Sequence, residues 1–273
     1  DLKKTIIDDH LSFFKSEETY KNLQVPWKRG LIFYGPPGNG KTISVKAMMN
    51  MLYKQKTQVQ TLYVRSLRSF FGPEDSINNI FRQARAYAPC YLVFEDLDTI
   101  VSDEVRSYFL NEVDGLKSND GIFMIGSTNH LDRLDPGISK RPSRFDRKYL
   151  FADPNLDERV AYAKFWQHKL ENSKDIDFPD RLCKAIAKIT DGFSFAYMQE
   201  AFVASLLAIA GRERSNDLAD EFGVLTVDMK DDWVGVIGKS DDDDKDLDGL
   251  ALWVEIKKQI EILREGMKDA PEE

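Results

Sequence analysis

The chain has 273 residues, 42% of them hydrophobic and 31% charged, which suits a globular protein of one or two domains with a substantial core. Its net charge of −8 argues against wrapping a nucleic-acid backbone, which needs clustered Lys and Arg, so nucleic acid is not an expected partner. Two cysteines, Cys90 and Cys183, form no CxxC or Cys/His cluster, which argues against a disulfide scaffold or structural zinc.

That cysteine usage points to a reducing intracellular compartment, with the cytoplasm as the default and mitochondrial or nuclear settings compatible. No run of 18 apolar residues is present, so no membrane segment is expected. The chain opens at Asp1 without a signal-like stretch, and a longer protein around it is expected.

After a lead-in over 2–29, short apolar runs at 31–34, 59–64, 91–94, 122–125 and 148–151 alternate with helical patterns at 42–52, 75–87 and 104–116. This alternation predicts a parallel sheet with crossover helices. In the second helical pattern, Ile77, Ile80, Phe81 and Ala84 follow the i, i+3, i+4, i+7 spacing of one buried face. Past Asp153-Pro154, the segments 156–171, 179–189, 195–211 and 250–267 read as helices with no strand between them. The expected architecture is α/β, a P-loop parallel-sheet core over 1–153 followed by a helical lid domain over 154–273. Within the lid, 240–248 reads as an acidic linker, because a run such as Asp241-Asp242-Asp243-Asp244 is best solvated.

Between the first strand and first helix lies Gly35-Pro36-Pro37-Gly38-Asn39-Gly40-Lys41-Thr42, which fits GxxxxGK[ST]. Glycines let backbone N–H groups curl around phosphate oxygens without a Cβ in the way. The following helix points its positive end at the same oxygens. Lys41 can bridge the β- and γ-phosphates, and the Thr42 hydroxyl can ligate Mg²⁺. The pattern arises by chance roughly 0.01 times in a chain of this length. The expected nucleotide-binding set is residues 35–42 together with Ile43, and the expected ligands are ATP and Mg²⁺.

The run Tyr91-Leu92-Val93-Phe94 ends in Glu95-Asp96-Leu97-Asp98, a buried-type strand leading to acids. Such a strand is expected beside the one before the P-loop, so that its end reaches the metal. One carboxylate, Glu95, would then join Thr42 in the metal shell, and Asp96 would polarise the attacking water. The usual order in such ATPases is Asp then Glu; here it is inverted. A nucleotide-binding subunit with weak or no hydrolysis stays open on that account.

These motifs, with Gly121-Ile122-Phe123-Met124-Ile125-Gly126-Ser127-Thr128-Asn129, Leu134-Asp135-Pro136 and Arg141-Pro142-Ser143-Arg144-Phe145-Asp146-Arg147, resemble the AAA family of ring ATPases over nearly the whole chain. The resemblance implies that Asn129 is a polar sensor of the lytic water. It implies that Arg141 and Arg144 are arginine fingers reaching the γ-phosphate held by a neighbouring subunit, although Ser143 stands where the family usually has Gly. It also implies that Asp114-Gly115 is an intersubunit signalling segment, where the residues alone suggest a helix end closed by glycine. Phe70-Phe71-Gly72 resembles the loop with which the family grips a protein substrate in a central pore; two core phenylalanines near a turn are the plainer alternative.

The segment Asp191-Gly192-Phe193-Ser194-Phe195-Ala196 is similar to the start of the family's lid helix, with Phe195 in place of Gly and no sensor Arg. Trp166 or His168 is considered for contact with adenine from the lid. The lead-in and the Glu95-Asp96 order are similar to the branch that contains the mitochondrial translocase of folded Rieske protein, whereas the paired arginines and helical lid resemble mainstream members. What the resemblance implies is a homo-oligomeric ring, six subunits in the family, that remodels a protein substrate with ATP. A nucleotide-gated assembly factor or scaffold is the alternative. A clamp or helicase loader is disfavoured by the acidic charge, and the absence of any Asn-Lys dipeptide rules out the NKxD base-reading motif of GTPases.

Overall fold

The computed structural model describes residues 2–67, 72–141, 143–173, 176–222 and 247–268, and the chain divides into two compact units, Asp1–Ala152 and Asp153–Glu273. In the first unit five strands form one parallel sheet: β1 (Lys28–Tyr34), β2 (Gln60–Val64), β3 (Cys90–Phe94), β4 (Ile122–Thr128) and β5 (Arg147–Leu150). Their order is β2-β3-β4-β1-β5. Strands β3 and β4 are buried along their whole length. Burial on both faces is why they read as continuous apolar runs rather than alternating ones.

The expectation that β3 neighbours β1 is corrected. Strand β4 lies between them, pairing Thr128 with Tyr34 on one side and Gly126 with Phe94 on the other. An apolar run announces a buried strand but carries no signal of which strand it pairs with, and consecutive strands are only usually adjacent.

Helices cover both faces. Successive strand residues point to opposite sides, so Leu31, Phe33, Tyr91, Val93, Phe123 and Ile125 pack on α1 (Leu2–Lys15) and α3 (Lys41–Tyr53). The short α2 (Glu17–Asn22) follows α1 in the chain. The alternate set, including Ile32, Leu92, Phe94 and Met124, packs on α4 (Pro73–Ala86) and, past the short α5 (Leu97–Ile100), on α6 (Arg106–Asp114). Ile77, Phe81 and Ala84 are the buried residues of α4, as their spacing predicts.

Helix α1 occupies the segment read only as a lead-in. Its His10 is fully buried, with Nδ1 donating to the Ile6 carbonyl at 2.7 Å and Nε2 accepting from the Tyr91 hydroxyl at 3.0 Å. A carbonyl can only accept, which fixes that neutral tautomer. Asp9 on the same helix takes two hydrogen bonds from Arg147 Nη1, at 2.7 and 2.9 Å, and one from the Tyr149 hydroxyl, both residues of β5.

The second unit is helical, with α8 (Leu156–Lys169), α9 (Asp180–Ile189), α10 (Phe195–Phe222) and α11 (Ala251–Lys268) following the short α7 (Pro136–Ser139) of the first. Asn155 and Glu158 form a reciprocal capping box at the start of α8, worth about 1 kcal/mol. The core gathers Trp166, Cys183, Phe193, Phe202, Trp253 and Ile256. Trp166 stacks on Phe202 with ring centroids 5.1 Å apart. Its ring is a core element of this unit, not the exposed face that contact with adenine needs. His168 is exposed and lies 3.1 Å from Glu171. Helix α10 runs 11 residues past its expected end at 211. Residues 240–246 of the acidic linker lie outside the described residues.

Candidate functional site

All five strands run the same way, so their carboxyl ends open at one edge of the sheet, where open α/β sheets bind ligands. Two segments with chemistry meet there. The P-loop follows β1, and the acidic run follows β3 two strands away.

In the loop, Gly35, Gly38 and Gly40 all take positive φ, at 130°, 81° and 93°. Gly35 is doubly constrained, since a Cβ there would lie 2.4 Å from the Phe151 carbonyl oxygen. Pro36, Pro37 and Gly38 are exposed, Asn39 is buried, and Ile43 is 71% exposed. Gly40 caps α3 without any side-chain hydrogen bond. The first N–H groups of that helix therefore keep their positive end for an anion.

Lys41 is buried and folded onto its own loop, donating to the Gly35 carbonyl at 2.6 Å and the Pro36 carbonyl at 2.8 Å. Burial lowers its pKa from the ordinary lysine value, and the negative charge of Asp96 opposes that shift. Loop and acids are thus close enough to feel each other's charge.

Glu95 and Asp96 are placed differently. Glu95 continues the β3 alternation onto the face of Tyr91 and Val93, the side covered by α3. Its N–H donates to the Val64 carbonyl at 3.3 Å, and its Oε1 is buried with no hydrogen-bond partner among the described residues. Asp96 turns into the left-handed region at φ 50°, a conformation that costs about 1 kcal/mol or more for a residue with a Cβ. Burial raises the pKa of its carboxyl, followed by the charges of Glu95 and Asp98, with Lys41 pulling the other way.

The end of β4 supplies hydroxyls to this acidic turn. Asp96 N–H donates to Ser127 Oγ at 3.4 Å, and Thr128 Oγ1 donates to Asp98 Oδ1 at 2.6 Å. Sequence reasoning quoted Ser127 and Thr128 inside a motif but gave them no role. Two hydroxyls at the end of an otherwise apolar buried strand were the available signal. Asn129 follows them, exposed, one residue beyond the partner of Tyr34.

The remaining candidates lie elsewhere. Arg144 stands at the opposite, entry end of β1: a Cβ on Gly30 would come within 2.1 Å of the Arg144 carbonyl oxygen. From Gly30 to the P-loop at Gly35 is about 16 Å of extended strand. The Arg144 guanidinium is 11% exposed, donates to the Gly137 carbonyl at 2.7 Å, and lies 3.9 Å from Asp114. Asp114 also accepts from Lys28 Nζ at 2.9 Å and Ser143 Oγ at 3.0 Å. Burial opposes ionisation of Asp114, but those hydrogen bonds and the neighbouring cations hold its carboxyl below the ordinary value. Lys28, Arg29, Asp114, Ser143 and Arg144 line a cleft of about 340 Å³.

Arg141 is exposed; its carbonyl accepts from the Arg144 N–H at 3.2 Å, and its side chain has no hydrogen bond or ion pair among the described residues. Gly115 closes α6 in an extended conformation rather than a left-handed one. Phe70 and Phe71 lie outside the described residues, and Gly72 caps α4.

Residues 31–153 match the family model described as ATPase family associated with various cellular activities (AAA). The match spans most of the first unit and ends where the helical unit begins. Together with the five-stranded parallel sheet, it supports an AAA domain that binds and hydrolyses ATP. No described helix is long and apolar enough to cross a membrane.

Proposed function

We propose that this chain is an AAA subunit in which the P-loop and the acidic turn of one protomer hold Mg-ATP while an arginine of the next protomer completes the site. The observation that carries the reading is the separation of Arg144 from its own P-loop by the length of β1. An arginine at the far end of the sheet can serve a phosphate only on another copy of the chain.

Residues 35–43 would cradle the triphosphate, with Lys41 exchanging its two loop carbonyls for phosphate oxygens, which are stronger acceptors for a cation. Hard oxygen donors fit Mg²⁺, and the fit here is the unpartnered Glu95 Oε1 together with the Thr42 hydroxyl. A Mg²⁺ ion held there would supply neutralisation of phosphate charge. Asp96, with its carboxyl pKa raised, is suited to accept a proton from water, and Asn129 to orient that water. A permanently charged guanidinium from Arg141 or Arg144 of the neighbour would stabilise charge developing on the phosphoryl group.

In this reading six such chains form a ring, Asp114-Gly115 passes the nucleotide state across the interface, and Phe70-Phe71-Gly72 grips a protein that is unfolded, translocated or dismantled. The domain division would follow the two units, with core over 1–153 and lid over 154–273. The anchoring of Arg144 inside its own chain favours one alternative, a nucleotide-gated scaffold that assembles without needing this arginine for turnover.

The test is ATPase rate per chain against protein concentration. Rates that rise with concentration, and fall at least 100-fold in Arg141→Ala or Arg144→Ala while each variant still binds ATP, are expected. A rate independent of concentration, unaffected by both substitutions, would remove the shared site.

A further inference from the structure

Tyr63 lies on β2, and its Cα partner on β3 is Val93. Glu95 is two residues further along β3, so the two side chains project from the same face as diagonal neighbours, within reach of an aromatic side chain. The register brings the Tyr63 hydroxyl close enough to the Glu95 carboxylate to interact with it. The Glu95 backbone is pinned to the same strand through its bond to the Val64 carbonyl. One carboxylate oxygen, Oε1, is buried and has no hydrogen-bond partner among the described residues, which leaves it available to a cation.

We propose that Tyr63 is a positioning residue that orients the Glu95 carboxylate toward the Mg²⁺ shell of the nucleotide, compensating for the inverted Glu-Asp order at this strand end. The inference rests on the assignment of Glu95 to the metal. The physical reason is length. Glu carries one more rotatable bond than Asp, so a Glu at the metal position loses more freedom when it is held still. A hydroxyl held beside the carboxylate by the neighbouring strand can restrict that freedom before the ion arrives. Partners of this kind, bonded to a metal-ligating carboxylate, are worth about 10- to 100-fold in metal affinity.

Tyr63→Phe removes the hydroxyl and keeps the ring that packs against the sheet. ATP affinity is measured by titration with and without Mg²⁺, alongside the thermal midpoint. The expected result is a loss of about tenfold in Mg²⁺-dependent affinity, with Mg²⁺-free affinity and the midpoint unchanged. In a Glu95→Gln background the same substitution should add less than threefold. A Tyr63→Phe protein whose Mg²⁺ dependence equals that of the parent overturns the proposal, as does an equal loss with and without the ion, which marks a merely structural tyrosine. If the parent protein binds ATP no better with Mg²⁺ than without, the metal assignment of Glu95 fails, and this inference fails with it. If the parent shows the dependence and Tyr63→Phe keeps it, only the role of Tyr63 is lost.

Discussion

Buried charge in the helical unit is treated differently from buried charge at the strand ends of the α/β unit. In the helical unit, Arg159 is 7% exposed, and its guanidinium is met on all sides: Nε donates to the Ala187 carbonyl at 2.9 Å, Nη1 to the Pro154 carbonyl at 2.8 Å, and Nη2 lies 2.8 Å from Asp191. Glu255 is likewise met by Arg212 at 2.7 Å and Gln259 at 3.1 Å. In the α/β unit, the groups at the strand ends are left short. Among the described residues, Glu95 Oε1 has no hydrogen-bond partner, Asp96 sits at positive φ beside two other carboxylates, and Lys41 is bonded to backbone carbonyls alone. Unpaired buried polar atoms occur in the helical unit too, but they are the neutral indole nitrogens of Trp166 and Trp253. Polar groups that only support a fold are satisfied within it; those held in a costly arrangement are candidates for chemistry.

The largest effect is expected at the unsatisfied end. Asp96→Asn should lower phosphate release by about 100- to 10,000-fold while ATP binding persists. Because Asn tolerates positive φ and carries no charge beside Glu95 and Asp98, the thermal midpoint should hold steady or rise. A fall in both activity and stability would mean that Asp96 is a structural acid like those of the helical unit.

The next effect tests the sheet itself. Burial lowers the His10 pKa from an ordinary 6.5 to about 4, against smaller opposing contributions from the Ile6 carbonyl and the charge of Asp9. The groups facing it are the Tyr91 hydroxyl on β3 and Asp9 on its own helix, among the rings of Phe33 and Phe123. The unfolded chain then binds a proton that the folded chain refuses, so stability is full above pH 6.5 and declines as pH falls toward 4. The loss is about 3 kcal/mol by pH 4. Denaturant melts of the parent and His10→Gln between pH 7 and pH 4 should converge if His10 is responsible, and parallel curves would assign acid sensitivity elsewhere.

The smallest effect is at the satisfied charge. Arg159→Leu leaves the Ala187 and Pro154 carbonyls without their donor and should cost about 2 kcal/mol. The exposed Asp191, 79% accessible, adds little to that sum because water screens it. ATP affinity of the variant should be unchanged; a selective loss of nucleotide binding would place Arg159 with the functional groups instead.

Much of the fold was legible because its signals are local. Each strand was located within three residues at either end, since apolar runs and glycine punctuation depend on near neighbours. The P-loop was legible for the same reason: Gly35 must adopt positive φ beside the Phe151 carbonyl, and few other residues fit there. The acids were legible as a pair, but their difference was not. That Glu95 meets Tyr63 while Asp96 meets the charge of Lys41 depends on which strand lies alongside and which way the chain turns after Phe94. Trp166 misled because an aromatic on a helix carries no sign of whether its face is open or stacked on Phe202.

By itself, the order of amino acids determined a glycine-rich loop after the first strand, an acidic strand end and a change from alternating strands and helices to helices alone, because glycine geometry and hydrophobic period act over a few residues. Only the tertiary structure decided that β4 separates the loop strand from the acidic strand, that His10 seals α1 onto β3, and that Arg144 stands a strand's length from its own P-loop. Those outcomes come from pairings between segments far apart in the chain, whose energies depend on complementary surfaces brought together by folding rather than on any pattern within one segment.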